Sequence, residues 1–124
     1  MPRPSNGLYA PQSYIKASKE EVDSKTNGCG SAEATFDFVP DTIYGLPICE
    51  CCNIHDWMYM EGKTKRDKEV ADNVFLDNLY KLIEDKTSFF ILRWLRKRRA
   101  LKYYGAVKLF GSSAFWKGKK RNAQ

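Results

Sequence analysis

Residues 48–83 read ICECCNIHDWMYMEGKTKRDKEVADNVFLDNLYKLI, and this stretch decides the fold. Ile48, Cys52, His55 and Tyr59 recur at spacings of 4, 3 and 4, which is one stripe of an α-helix. Gly62 supplies a stop, with Lys63 and Lys65 beside it, where cations suit a helix C-terminus. A second helix is predicted over 65–85, its apolar face formed by Phe75, Leu76, Leu79, Leu82 and Ile83. Only a short turn separates the two, so they are expected to pack antiparallel with their stripes facing.

Outward from this pair the chain changes character. Residues 1–25 hold three of the five prolines, plus Asn6-Gly7, and show no sustained period. They read as an irregular arm, with a short helix around 18–24 where Glu20 and Glu21 follow a serine cap. Residues 31–47 mix aromatics with Pro40, Gly45 and Pro47, which reads as loop with short extended pieces. A third, strongly basic helix is expected within 88–110, followed by a disordered cationic end. Repeats are absent and period-two alternation is nearly so. The expectation is one mainly α domain spanning 1–124: the arm, a core over 26–86, and a basic helix and tail over 87–124.

The 124 residues carry a net charge of +6, distributed unevenly. Residues 1–85 hold 9 basic and 15 acidic side chains, and residues 86–124 hold 12 basic and none acidic. A tail of one sign favours anionic partners such as membrane surfaces or nucleic acid. The longest aliphatic-aromatic run, Phe89 to Leu92, is far short of the ~20 residues a spanning helix needs. The first residues contain no apolar core of a secretory signal, so export, if it happens, is expected to use another route or a leader outside this sequence. The four cysteines, at 29, 49, 51 and 52, are compatible with two disulfides, one disulfide or a metal site.

Several polar groups fall where polarity is costly. Asp72 precedes Phe75, Leu76 and Leu79 by 3, 4 and 7 residues, so its carboxylate lies on the apolar stripe. A carboxylate buried there needs partners, because an unpaired one costs several kcal/mol; at the stripe's edge it would instead reach solvent or cap the helix. His55, the only histidine, points from the stripe of the preceding helix. Contact with Asp72 would fix the imidazole tautomer and leave the other ring nitrogen to accept a proton. Tyr59, one turn on, could donate its hydroxyl to the same carboxylate or simply fill the core. Asp56 points about 100° round the helix from His55. It could act as a hard oxygen ligand beside backbone carbonyls of the glycine-containing segment Asn27-Gly28-Cys29-Gly30-Ser31, a mixture that suits calcium better than zinc.

Together these residues resemble the secreted-type, calcium-dependent phospholipase A2 family. The family's helix signature is C-C-x-x-H-D-x-C-Y, and this chain reads Cys51-Cys52-Asn53-Ile54-His55-Asp56-Trp57-Met58-Tyr59. The NGCGS segment is similar to the calcium loop of the group XII branch. Asp72-Asn73-Val74-Phe75 followed by Leu79 is similar to the D-x-x-F-x-x-x-L pattern of compact bacterial and phage-type members. The resemblance covers roughly residues 26–83. It implies His55 as general base, Asp72 as its orienting carboxylate and Tyr59 as a donor to that carboxylate. It also implies Asp56 and the carbonyls of Gly28, Gly30 and Ala32 as calcium ligands, with the Gly30 N–H in the oxyanion hole. Cys29 resembles the loop cysteine that bridges to the position of Cys52. Met58 stands where the family has a third cysteine, Ser31-Ala32 replaces further loop glycines, and Cys49 has no family counterpart.

The activity so implied is hydrolysis of the sn-2 ester of glycerophospholipids at an anionic bilayer, by a secreted or virion-associated protein. The basic, aromatic-rich stretch 89–110 has the composition of an interfacial helix, or of a core helix with a solvated face. Two alternatives come from other classes. One is a non-catalytic membrane-binding or virion-associated protein on the same fold. The other is a zinc-structured module in which Cys29, Cys49, Cys52 and His55 form a Cys₃His set and the tail binds nucleic acid.

Overall fold

A computed structural model describes residues 7–25 and 42–116. The order of elements is α1 (Gln12–Lys16), α2 (Lys19–Lys25), β1 (Thr42–Ile43), β2 (Leu46–Pro47), α3 (Cys49–Glu61), α4 (Lys65–Lys86), α5 (Phe90–Phe110) and α6 (Ser112–Trp116). The chain is mainly helical. The candidate calcium loop, the bulk of the stretch 31–47 and the cationic end at 117–124 lie outside the described residues.

Helix α3 ends at Gly62, whose N–H is bonded by the Met58 carbonyl at 2.9 Å. The chain restarts within three residues because Thr64 and Asp67 form a capping box. The Thr64 hydroxyl accepts from the Asp67 N–H, and the Asp67 carboxylate accepts from the Thr64 N–H. Gly62 has a packing role besides ending the helix: a Cβ there would lie 2.6 Å from the Phe115 ring of α6. With so short a turn, α4 folds back alongside α3 and packs as extensively against α5.

The core joins every part of the described chain. Ile54, Trp57 and Tyr59 of α3 meet Phe75, Leu79 and Ile83 of α4, Tyr103 and Val107 of α5, and Phe115 of α6. Leu76 and Leu82, expected on the α4 face, sit half-buried at its edges.

The arm is more ordered than its prolines imply. Helix α2 lies where the serine cap places it, the Ser18 hydroxyl accepting from the Glu21 N–H at 3.1 Å. Helix α1 was not expected; at five residues it is too short to display a period. Leu8, Ala10 and Tyr14 belong to the core, so the arm is not separable from it. Tyr9 is latched by buried Asn78 of α4: its N–H donates to Asn78 Oδ1 at 2.7 Å, and its carbonyl accepts from Nδ2 at 2.9 Å. On α3, the Tyr14 hydroxyl donates to Glu50, and the Trp57 indole donates to Ser13.

The β1–β2 hairpin turns on Tyr44 and Gly45, with φ of 43° and 82°, the left-handed pair of a type I′ turn. Helix α5 holds this turn. Arg96 donates to the Tyr44 carbonyl at 2.8 Å, Arg99 donates to its hydroxyl at 3.1 Å, and the Tyr103 hydroxyl donates to the Thr42 carbonyl. The entry into α3 is thereby fixed against α5.

Candidate active site

His55 and Tyr59 are one turn apart on the inner stripe of α3, and Asp72 occupies the facing stripe of α4. His55 and Asp72 are each 2% exposed, so the edge-of-stripe reading of Asp72 does not hold. His55 Nε2 and Asp72 Oδ1 are 2.8 Å apart, and the Tyr59 hydroxyl donates to the same oxygen at 2.6 Å. Since a carboxylate only accepts, Nε2 carries the proton in this pair. The nitrogen that Asp72 does not engage, Nδ1, is then the basic one. The imidazole lies between two rings, Tyr59 at 4.2 Å and Phe75 at 4.8 Å between centroids.

The second carboxylate oxygen is taken by Lys68, which sequence reasoning missed. Its Nζ donates to Asp72 Oδ2 at 2.8 Å, one helical turn away on α4. Lys68 is only 7% exposed, although lysine is almost never buried unless paired. The signal was present: 68, 72, 75 and 79 share the 4, 3, 4 spacing of one stripe, and Lys–Asp at i, i+4 is a pairing distance.

The electrostatics follow from burial and these contacts. Burial pushes the His55 pKa below its ordinary 6.5 and prevails over Asp72, which raises it; the Lys68 charge lowers it further. Burial also pushes Asp72 upward, but hydrogen bonds from His55, Lys68 and Tyr59 outweigh it and hold the carboxyl below its ordinary value. Burial, the Asp72 charge and the bond to it drive the Tyr59 hydroxyl far above 10, so it acts as a fixed donor. The site therefore holds a neutral imidazole against an ionised carboxylate, the pairing that general-base chemistry requires.

Asp56 follows His55 on α3, is half-buried, and lies close enough to Tyr59 for its charge to raise that hydroxyl's pKa. Gly28, Gly30 and Ala32, expected to supply carbonyls and the oxyanion N–H, lie outside the described residues. Asp56 offers a hard oxygen donor at the edge of the pair, which fits calcium. Among the described residues no three His, Cys, Asp or Glu side chains converge as a metal set.

Cys52 is disulfide-bonded. Cys49 and Cys51 carry thiols, the latter buried and pushed up to about 12 by desolvation and the nearby Glu50 charge. Cys52 thus has no thiolate to offer, and the Nε2 of His55 is committed to Asp72. The first fact weighs against the Cys₃His zinc reading; the second does not, because Nδ1 is the nitrogen a metal would take.

Comparison with protein-family models, with curated proteins and with solved structures gives no match to this chain. Function therefore rests on the residues and their geometry.

Proposed function

We propose that the protein is a calcium-dependent phospholipase A2, hydrolysing the sn-2 ester of glycerophospholipids with a water activated by His55. The observation that carries this reading is the buried His55–Asp72 contact with Tyr59 on the same carboxylate oxygen. Two helices that place a neutral base, its orienting anion and a fixed donor together supply the core of the machinery that the sequence resemblance implies.

In this reading His55 Nδ1 takes a proton from water as the water oxygen bonds to the ester carbonyl carbon. Asp72 stabilises the imidazolium so formed without itself taking the proton. As the tetrahedral centre collapses, the alkoxide of the glycerol leaves with that proton, giving a fatty acid and a lysophospholipid. The Gly30 N–H serves the developing oxyanion. Asp56 with the carbonyls of Gly28, Gly30 and Ala32 would hold calcium. When bound, calcium polarises the ester carbonyl and neutralises the substrate phosphate. The resemblance also implies Cys29 as the partner of disulfide-bonded Cys52. That bridge would tie the glycine-containing segment to α3, three residues from the base.

An anionic phospholipid surface is the partner that fits α5. Phe89 precedes this helix, and Phe90, Ile91, Trp94, Leu101, Leu109 and Phe110 on it are exposed. They stand among Arg and Lys side chains, with the Arg98 guanidinium 5.1 Å from the Trp94 ring centroid. No helix among the described residues is long and apolar enough to cross a membrane, so this face would lie on a bilayer rather than span it.

The test is fatty-acid release from mixed phospholipid vesicles, with calcium and with chelator. Calcium-dependent release is expected. His55→Gln should reduce it by about 10²–10⁴-fold while leaving helix content unchanged. No release from the wild-type protein, or full release from His55→Gln, would reject the activity. Release that survives chelation would reject the calcium assignment alone.

A further inference from the structure

Lys68 lies in the middle of the protein with its three N–H bonds directed at three acceptors. One is Asp72 Oδ2 at 2.8 Å; the others are the carbonyls of Val107 and Lys108 at 3.4 and 3.3 Å. Those carbonyls belong to the last turn of α5, where a helix presents its negative end, and the Val107 carbonyl also accepts from the Gly111 N–H at 2.9 Å. The same turn ends at Gly111, where a Cβ would lie 2.5 Å from the Tyr59 hydroxyl. The end of α5 is therefore in contact with two of the three donors that surround Asp72.

The other described groups around this carboxylate come from α3, α5 and α6. Helix α3 contributes His55 and Tyr59, both on Oδ1. Helix α6 contributes the Phe115 ring, 5.2 Å from Tyr59 between centroids. The Lys108 ammonium sits over the Tyr104 ring at 5.6 Å. Among the described residues Lys68 alone reaches Oδ2 from a charged side chain. Without it, a carboxylate held at one oxygen is free to pivot about χ2, and the line from Oδ1 to Nε2 is no longer fixed.

We propose that Lys68 is a positioning residue of the His55–Asp72 pair, pinning the second carboxylate oxygen and anchoring it to the C-terminal turn of α5. The kinetic consequence rests on the phospholipase reading; the structural one does not. Lys68 is buried and its bonds go to Asp72 and the α5 carbonyls, not to His55, so its effect belongs in turnover rather than in substrate affinity.

The experiment compares Lys68→Met and Lys68→Arg with the wild-type protein. Because His55 is the only histidine, its hydrogen-bonded Nε2–H gives one low-field imidazole proton resonance, observed whether or not lipid is hydrolysed. That resonance should persist in Lys68→Arg and be lost or move upfield in Lys68→Met. On vesicles kcat should fall by about 10²-fold in Lys68→Met with KM unchanged, and recover in Lys68→Arg. A second measurement needs no substitution: the wild-type protein should show a lysine ammonium cross-peak protected from water exchange at neutral pH. A Lys68→Met protein with an unmoved imidazole proton would overturn the proposal, as would the absence of a protected ammonium. A wild-type protein without hydrolysis but with both resonances would reject the phospholipase reading and leave the positioning role standing.

Discussion

Asp72 accepts from His55, Tyr59 and Lys68, and each bond favours its ionised form, so one carboxylate holds side chains of two helices, α3 and α4, in register. This arrangement sets a pH dependence whose sign can be worked out. In the unfolded chain the imidazole takes a proton near 6.5, and in the folded chain only at lower pH. Below 6.5 the unfolded state binds more protons, so stability falls as pH drops through that window. Asp72 adds a second loss further down, because its partners' contribution is present above its unfolded value of 3.8 and disappears as pH falls through the lower folded one. Urea midpoints should therefore decline from about pH 7.5 to pH 5, and His55→Gln should remove that decline. A flat midpoint in the wild-type protein would contradict a neutral, buried His55.

The same residues show what a sequence reader can and cannot see. Polar side chains on an apolar stripe were visible at 55 and 72, because burial without a partner is costly and so implies one. Lys68 escaped notice because a lysine is ordinarily assigned to the solvated face, and only the position of the α5 carbonyls shows it turned inward. Asn78 escaped for a related reason: its partner is the backbone of Tyr9, which leaves no trace in side-chain pattern.

At the scale of elements, α3, α4 and α5 were legible from period, glycine stop and charge, and they fall within two residues of the expected bounds. Helices α1 and α6, five residues each, were not, since a turn and a half carries no period; tertiary packing of Tyr14 and Phe115 holds them. The two α5-end glycines make opposite predictions. A Cβ at Gly111 would collide with the Val107 carbonyl and the Tyr59 hydroxyl, so Gly111→Ala should cost about 1–3 kcal/mol in urea unfolding. A Cβ at Gly105 would meet nothing within 4 Å, so Gly105→Ala should stabilise the protein by about 0.5–1 kcal/mol through helix propensity. Equal effects of the two substitutions would mean that the α5 terminus is not seated on Tyr59.

Across the whole molecule the charge is divided: the pair is built in the acidic portion, and exposed Phe89, Phe90, Trp94 and Phe110 belong to the basic one. Binding to vesicles rich in anionic lipid should be tight at low salt and weaken as ionic strength rises, with little binding to neutral vesicles. Of the three tryptophans Trp57 is buried, Trp116 is half-buried against the core and Trp94 is 56% exposed, so Trp94 should carry most of the fluorescence blue shift on binding. Trp94→Phe should remove most of that shift while salt-sensitive binding by the rest of the face persists. A shift that remains without Trp94 would move the lipid contact elsewhere.

The latch between Tyr9 and Asn78 has a consequence for how a nascent chain assembles. The bonds of the His–Asp pair join residues 13 to 17 apart, whereas the latch spans 69. Closing the longer loop costs only about 1.2 kcal/mol more in chain entropy, but it must wait for its far end to exist. On a ribosome the arm is made first and finds its seat on α4 only after about seventy more residues have followed. Throughout that interval Leu8, Ala10 and Tyr14 have nothing to cover them, so early synthesis is when this protein is most open to aggregation or to a chaperone.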